Sequence, residues 1–285
     1  MKRLSALILA LALAVSIGSA ETKFSLQLGG GLNYSTGGDL GRALRGQSDF
    51  LRDEYGVSSG FGLPLWGYQF AGEFIYHLNP KWAVGFGIGY FEHLKDSQVS
   101  YTYGFIDAVE AVKPKYAVIP LTANLHYDLP LGRKFRLDLS AGIGYYLARL
   151  DYEASQTLVL LGFRGKDVYS FQGSKGGFGL QGGVGLEMNL SPRFSLILQV
   201  LGRYASISGF SGDWTEVGSG DFWAFEESGS GHRAWYYEWM PGTKSYSQLT
   251  FQDEIPTGET VKSARAAKIE VLGLSVLLGF KIGLF

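Results

Sequence analysis

Apolar and polar residues alternate with a period of two along most of this chain. In the first such segment Phe24, Leu26, Leu28, Gly30, Leu32 and Tyr34 share one face, and Ser25, Gln27, Gly29, Gly31 and Asn33 share the other. The pattern returns over residues 66–77, 82–90, 117–128, 135–147, 178–190, 194–204 and 272–282. A period of two is the mark of a β-strand with two unlike faces. Each segment reaches the roughly 9–11 residues that a tilted strand needs to cross a bilayer.

A soluble β-sandwich alternates as well, but its second face is wet and rich in charged residues. Here the second face is mostly Gly, Ala and Ser with isolated charges, which suits the inside of a narrow barrel. Trp66, Trp82 and Tyr145 stand near the ends of the apolar faces, where an amphipathic ring fits the headgroup level. After residue 20 no uninterrupted apolar run is long enough for a membrane helix. The fold predicted is all-β: a transmembrane antiparallel up-and-down barrel of eight strands, with ten as the alternative.

The links between segments alternate short and long. Asn79-Pro80-Lys81, Pro130-Leu131-Gly132-Arg133 and Ser191-Pro192-Arg193 are tight turns, whereas residues 35–64, 96–115, 153–176 and 208–266 are long connections. Outer-membrane barrels have short periplasmic turns and long extracellular loops, so both ends of the barrel fall on the periplasmic side. Within the long links, 157–163 with 167–171 and 233–239 with 245–251 read as strand extensions or hairpins above the membrane. The second pair flanks a Pro241-Gly242 turn. Residues 39–55, with Leu40, Leu44, Phe50 and Leu51, predict a short helix over the barrel mouth, against which Gly41 and Gly46 count.

Composition narrows the class. Gly is 41 of 285 residues, about twice the usual frequency of roughly 7%, and aromatics reach 15%. Disordered low-complexity chain would raise Gly and lower aromatics. The net charge of −1 points to no nucleic-acid partner. With no Cys, a lipid anchor on cysteine, disulfides and thiolate metal sites are excluded. Lys2 and Arg3, the apolar run from Leu4 to Ile17, and Gly18-Ser19-Ala20 follow the three-part pattern of an export signal. Residues 1–20 are therefore expected to be a cleaved signal peptide, and 21–285 a single barrel that makes up the whole mature protein.

With its signal, its eight segments, the turn Tyr76-His77-Leu78-Asn79-Pro80-Lys81-Trp82 and a terminal Phe285, the chain resembles the small bacterial outer-membrane β-barrel superfamily. That superfamily includes the OmpA membrane domain and the OmpX-like barrels. The resemblance implies insertion into the outer membrane by the barrel-insertion machinery, which reads the C-terminal strand and its final Phe. Phe280 and Ile282 lie on the lipid face, but Phe285 has the opposite parity. Either a bulge shifts the last residues or Leu284 takes the lipid-facing place. No periplasmic domain is expected, so the peptidoglycan-anchoring role of full-length OmpA-type proteins is not implied.

Parity turns Glu73, His77, His126, Asp128, Arg136, Asp138, Glu187, Arg203 and Lys281 inward. Lone charges in a narrow lumen are costly, so a paired network is expected. Glu73, Arg136, Asp138, Glu187, Arg203 and Lys281 are its main members, with Glu73 and Glu187 meeting Arg203, Arg136 or Lys281. A catalytic reading would draw on His93 with Glu92 and Ser97, whose spacing matches no known motif. A metal site at His77, His126 and Asp128 is disfavoured because the two histidines belong to non-adjacent strands. No catalytic, metal or cofactor site is therefore expected. In the last link Trp214, Trp223, Trp235, Tyr237 and Trp239 form a candidate binding surface, set against the alternative that the loop folds on its own small core. The chain is expected to be a structural or surface-interaction barrel whose partners are outer-membrane lipids. A narrow channel for small or hydrophobic solutes and, further off, a lipid-modifying enzyme are the alternatives.

Overall fold

The computed structural model describes residues 23–62 and 65–284. The predicted signal segment and Phe285 lie outside them. In chain order the elements are β1 (Phe24–Ser35), α1 (Asp39–Tyr55), β2 (Trp66–His77), β3 (Trp82–Leu94), β4 (Ser97–Tyr103), β5 (Ile106–Pro130), β6 (Phe135–Leu160) and β7 (Phe163–Ser191). They continue with β8 (Phe194–Ser208), β9 (Ser211–Gly220), β10 (Trp223–Trp239), β11 (Tyr246–Gln252), β12 (Val261–Ala266), β13 (Lys268–Glu270) and β14 (Gly273–Gly283).

The eight alternating segments all lie in strands, and those strands form a ring of antiparallel pairs. From β1 the pairing runs through β2, β3, β5, β6, β7, β8 and β14 and returns to β1. Closure removes the exposed edges that an open sheet would present. Phe70, Phe86, Ile88, Ile143, Phe178, Leu180, Leu198, Val200, Leu274 and Leu278 are all exposed on the outside. They form an apolar band, with Trp66, Tyr145 and Tyr204 at one rim and Trp82 and Tyr76 at the other. The three short links are the turns at the second rim. In one of them Asn79 Oδ1 accepts the N–H groups of Lys81 and Trp82, both at 2.9 Å, which fixes the reversal after β2. The β1–β14 register runs unshifted to Gly283, so the outward phase falls on Leu284.

The long links depart from the expectation of loops. β5, β6 and β7 are 25, 26 and 29 residues long and extend well past the apolar band. Beyond the band β7 exchanges β8 for β9 as its neighbour, near residue 174. The distal sheet then runs β4-β5-β6-β7-β9-β10-β11, with β12 on the lower part of β10. The hairpin predicted from 157–163 and 167–171 lies at the far end of β6–β7 but turns earlier, at Leu161-Gly162, so that Thr157 pairs with Lys166 and residues 167–171 pair with 152–156. The predicted pairing of 233–239 with 245–251 is the β10–β11 hairpin, with Trp239 opposite Tyr246.

Side-chain direction continues through this distal sheet, but the chemistry of the two faces exchanges. The inward residues Phe91, Tyr116, Val118, Tyr146, Ala148, Leu150, Phe171, Ala205 and Ile207 are buried in one apolar cluster. Outward positions on β6 become Arg149, Asp151, Glu153, Ser155 and Thr157. A strand leaving lipid for water must reverse which face is apolar, because the barrel interior then becomes the dry side.

Helix α1 fills that interior. Leu40, Leu44 and Leu51 face the cluster with Val57 and Phe61, and the helix ends on Gly56, whose left-handed φ of 67° lets its N–H cap the Arg52 carbonyl. Gly46 costs helix propensity but has a packing reason. A Cβ there would sit 2.2 Å from the Ser247 carbonyl oxygen, so only glycine lets α1 lie against β11.

Candidate functional site

The lumen is occupied by polar side chains from the turn end upward. Lys281 Nζ donates to Glu187 Oε2 at 2.7 Å, and both side chains are buried. Arg136 Nη1 meets Asp128 Oδ2 at 3.2 Å. His77 contacts Ser25 Oγ at 3.1 Å. In the next layer the His126 ring lies between two carboxylates, with Nδ1 3.0 Å from Asp138 and Nε2 3.1 Å from Glu73. Asn124 donates to Glu73 at 2.6 Å and accepts from Gln181 at 2.8 Å.

Two expected pairings are therefore corrected. Glu73 meets His126 and Asn124, not Arg203, Arg136 or Lys281. Among the described residues Arg203 has no carboxylate partner: its Nη1 donates to Gln69 Oε1 and Ser275 Oγ, both at 2.7 Å. Its guanidinium lies over the Phe91 ring, 5.6 Å from the centroid. The physical reason is height. Glu73 stands opposite Gly87 at mid-barrel, whereas Arg203 stands opposite Gly273, where β14 begins at the outer rim. Between them lies a cavity of about 50 Å³ lined by Gln27, Gln69, Glu73, Gln181, Gln199 and Arg203, with small residues such as Gly29 and Gly87. Above Arg203, His93 bonds Asn33 Oδ1 at 2.6 Å and stacks on Tyr116 at 4.6 Å. Phe91, Tyr116 and Tyr146 there have no measurable exposure.

The catalytic trio considered from sequence is not assembled. His93 points inward, while Glu92 points outward to Tyr68 and Lys115. Ser97 Oγ pairs instead with the Gly62 backbone. His77, His126 and Asp128 likewise have three different sets of partners, and among the described residues no cluster of three or more His, Cys, Asp or Glu is arranged to hold a metal.

Most of the chain matches a family model described as "Outer membrane protein beta-barrel domain", over residues 5–223. The chain belongs to that family. Among solved structures it is similar to the outer membrane protein OprG from Pseudomonas aeruginosa, at 15% identity and a TM-score of 0.36, covering 92% of this chain and 97% of that one. No curated protein matches it.

In this outer-membrane barrel α1 is held by a charge cluster outside the spanning strands. Asp39 has no exposure and receives Arg265 on both oxygens, Arg42 Nη2 at 2.6 Å and the Lys268 N–H at 2.8 Å. Burial pushes the Asp39 carboxyl up, but the two guanidiniums and the backbone donor outweigh it and hold the pKa below its ordinary value. A carboxyl depressed in the folded state contributes stability above its unfolded pKa, roughly 4, and that stability is lost as pH falls through the lower folded value. Protection of the α1 amides from exchange, relative to unstructured chain at the same pH, should therefore be high at pH 7 and fall below about pH 4. In Asp39→Asn the protection should be low already at pH 7 and should change little with acid. Equal protection in both proteins at pH 7 would remove this role.

The aromatic residues of the last link lie on β9 and β10 and divide into two groups. Trp239 packs on Phe50 of α1 at 4.9 Å, and Trp235 Nε1 donates to the Gln252 carbonyl. Trp214 stacks on His232 at 4.4 Å, and Tyr237 is half-buried. These four largely serve internal packing. Trp223 is exposed, beside Phe222 and Phe225. The sequence reading missed Phe105 and Leu161, which stand exposed at two other hairpin turns of the same sheet. The available signal was a large apolar residue within a two-residue turn.

Proposed function

We propose that this outer-membrane barrel is a non-catalytic, non-conducting support that holds a rigid distal sheet outside the cell for surface contact. The observation that carries the reading is the layer of buried Phe91, Tyr116 and Tyr146 above Arg203, with α1 packed over it. Below it, polar side chains and one small cavity occupy an eight-strand interior, which is about wide enough for side chains alone. The short turns then face the periplasm and the long hairpins face outward. Export by a signal cleaved after Ala20, insertion through the C-terminal strand, and contact of the apolar band with outer-membrane lipids belong to the same reading.

Purified protein in planar bilayers should give no stable conductance. Steady steps in the wild type that Arg203→Ala or Glu73→Ala abolishes would overturn the closed-lumen reading and favour a narrow channel. Mass analysis of lipid A with and without expression should show no difference; a change in acylation would establish an enzyme.

A further inference from the structure

Three two-residue hairpin turns end the distal sheet: Gly104-Phe105, Leu161-Gly162 and Asp221-Phe222. Such turns normally take Asn, Asp or Gly. Here each presents a large apolar side chain, and Phe105, Leu161 and Phe222 are 83%, 76% and 81% exposed. Leu161 even adopts φ 50°, a left-handed conformation that a leucine rarely takes and that costs energy. The strand register brings the tips together, since Ile106 pairs with Leu160 and Gly165 with Gly220. Phe163 and Phe222, on two different hairpins, are 5.2 Å apart ring to ring. By contrast, the Pro241-Gly242 reversal between β10 and β11 is polar.

These tips cannot rest on the protein's own membrane. Leu160 lies fifteen residue steps along β6 from the rim residue Tyr145. At about 3.3 Å per residue and a tilt near 40°, that is roughly 40 Å. The outward face between them is polar, with Arg149 bonded to Asp151 and Lys113 to Glu153.

Just behind the tips, the inner face of β9 and β10 carries a flat aromatic platform. Trp223 and Phe225 stack 5.7 Å apart at 20°. Their rings lie on glycine: a Cβ at Gly218 would meet Phe225 at 2.2 Å, and one at Gly220 would meet Trp223 at 2.6 Å. Both rings are substantially exposed. Carboxylates share that face: Asp167 stands opposite Gly218 on β7, and Glu227, two residues beyond Phe225, stands opposite Glu216 on β9. Aromatic faces beside carboxylates bind quaternary ammonium groups. The outward positions of these strands carry Glu226 and Asp107 as well as Arg164 and Lys166, so the crest offers no net attraction to an anionic surface.

We propose that this crest docks on a facing lipid surface of zwitterionic, choline-headed lipid. Phe105, Leu161 and Phe222 enter the acyl boundary, and Trp223 and Phe225, with Asp167 and Glu227, receive the trimethylammonium groups. The proposal rests on the outward display argued above but not on the closed lumen, which the conductance experiment tests separately.

The test uses the full chain in phosphatidylglycerol nanodiscs mixed with phosphatidylcholine vesicles. Co-flotation is expected, with quenching of tryptophan emission by bromine-labelled phosphatidylcholine. The triple variant Phe105→Ser, Leu161→Asn, Phe222→Ser should bind at least tenfold more weakly; Asn suits the φ of position 161, so the hairpin should fold. Trp223→Leu with Phe225→Leu keeps the apolar character and should remove the preference for phosphatidylcholine over phosphatidylglycerol vesicles. No flotation of the wild type, or equal flotation of the triple variant, would overturn the proposal. So would equal or better binding to phosphatidylglycerol vesicles, or tip-dependent pairing of nanodiscs without vesicles.

Discussion

Gly31→Val should leave the chain unable to close its barrel. A Cβ on Gly31 would lie 1.9 Å from the Val276 carbonyl oxygen and 3.0 Å from Leu277 Cα. Both atoms are backbone of β14, so no rotamer change can make room. Across the same seam, a Cβ on Gly279 would lie 2.2 Å from the Leu28 carbonyl oxygen. A small barrel curves strongly, and its inward faces are crowded where the first and last strands meet. Ordinary overpacking of a core costs about 1–3 kcal/mol. Here the backbones themselves must part, and the ladder of pairs from Ser25 to Ser35 is at stake. The expected result is loss of the compact, heat-modifiable band on gel electrophoresis after refolding into micelles. Gly242→Ala, at a turn where nothing lies within 4 Å, is the control and should fold normally. A folded Gly31→Val protein with unchanged urea resistance would show that the seam is looser than its geometry.

The second large effect concerns the ion pair at the turn end. Lys281→Met should destabilise the barrel by about 3–5 kcal/mol, because it leaves the Glu187 carboxylate buried without its counter-charge. The side chains are 7% and 3% exposed, so water screens the pair little. Replacing both partners, Lys281→Met with Glu187→Leu, should recover most of that loss, since the cost lies in the orphaned charge more than in the absence of the bond. Equilibrium unfolding in urea, in the same detergent for all three proteins, reads the comparison. A double variant as unstable as the single one would mean that Glu187 is held mainly by other neighbours.

Sequence periodicity carried the ring of strands, because lipid outside and a narrow lumen inside impose opposite demands on successive residues. It followed the strands less far where they leave the membrane, placing extensions only within 157–171 and 233–251. On β6 the apolar phase falls on odd residues from Phe135 to Leu147 and on even residues from Tyr146 to Ala154. Read in a single phase, that exchange looks like the end of a strand, although the backbone continues unbroken to Leu160. The interior charges were legible as a set, since parity alone turns them inward. Their partners were not, because a partner across the lumen depends on the relative height of non-adjacent strands. Arg203 shows this best: it meets Gln69 and Ser275 from two other strands, and nothing local in the sequence pairs those three residues. The crest was half visible. Phe222 and Trp223 stand in an evident aromatic run, but Phe105 and Leu161 are single residues in separate links, and only the strand register gathers them.

The exchange of faces on β6 also fixes depth. One rung above Tyr145 and Leu147 the outward position is Arg149, then Asp151 and Glu153. Sinking the barrel by two rungs would draw these charges toward hydrocarbon, where a lipid-facing Arg or Lys costs about 2–4 kcal/mol at the midplane and less near the interface. Raising it would bare Trp66 and Phe178 to water at the outer rim and draw Lys81 and Lys134 of the turns toward hydrocarbon. The protein thus carries its own draught mark, like a hull. In a bilayer of the wrong thickness the lipid must stretch or thin around it, because the barrel cannot slide without penalty.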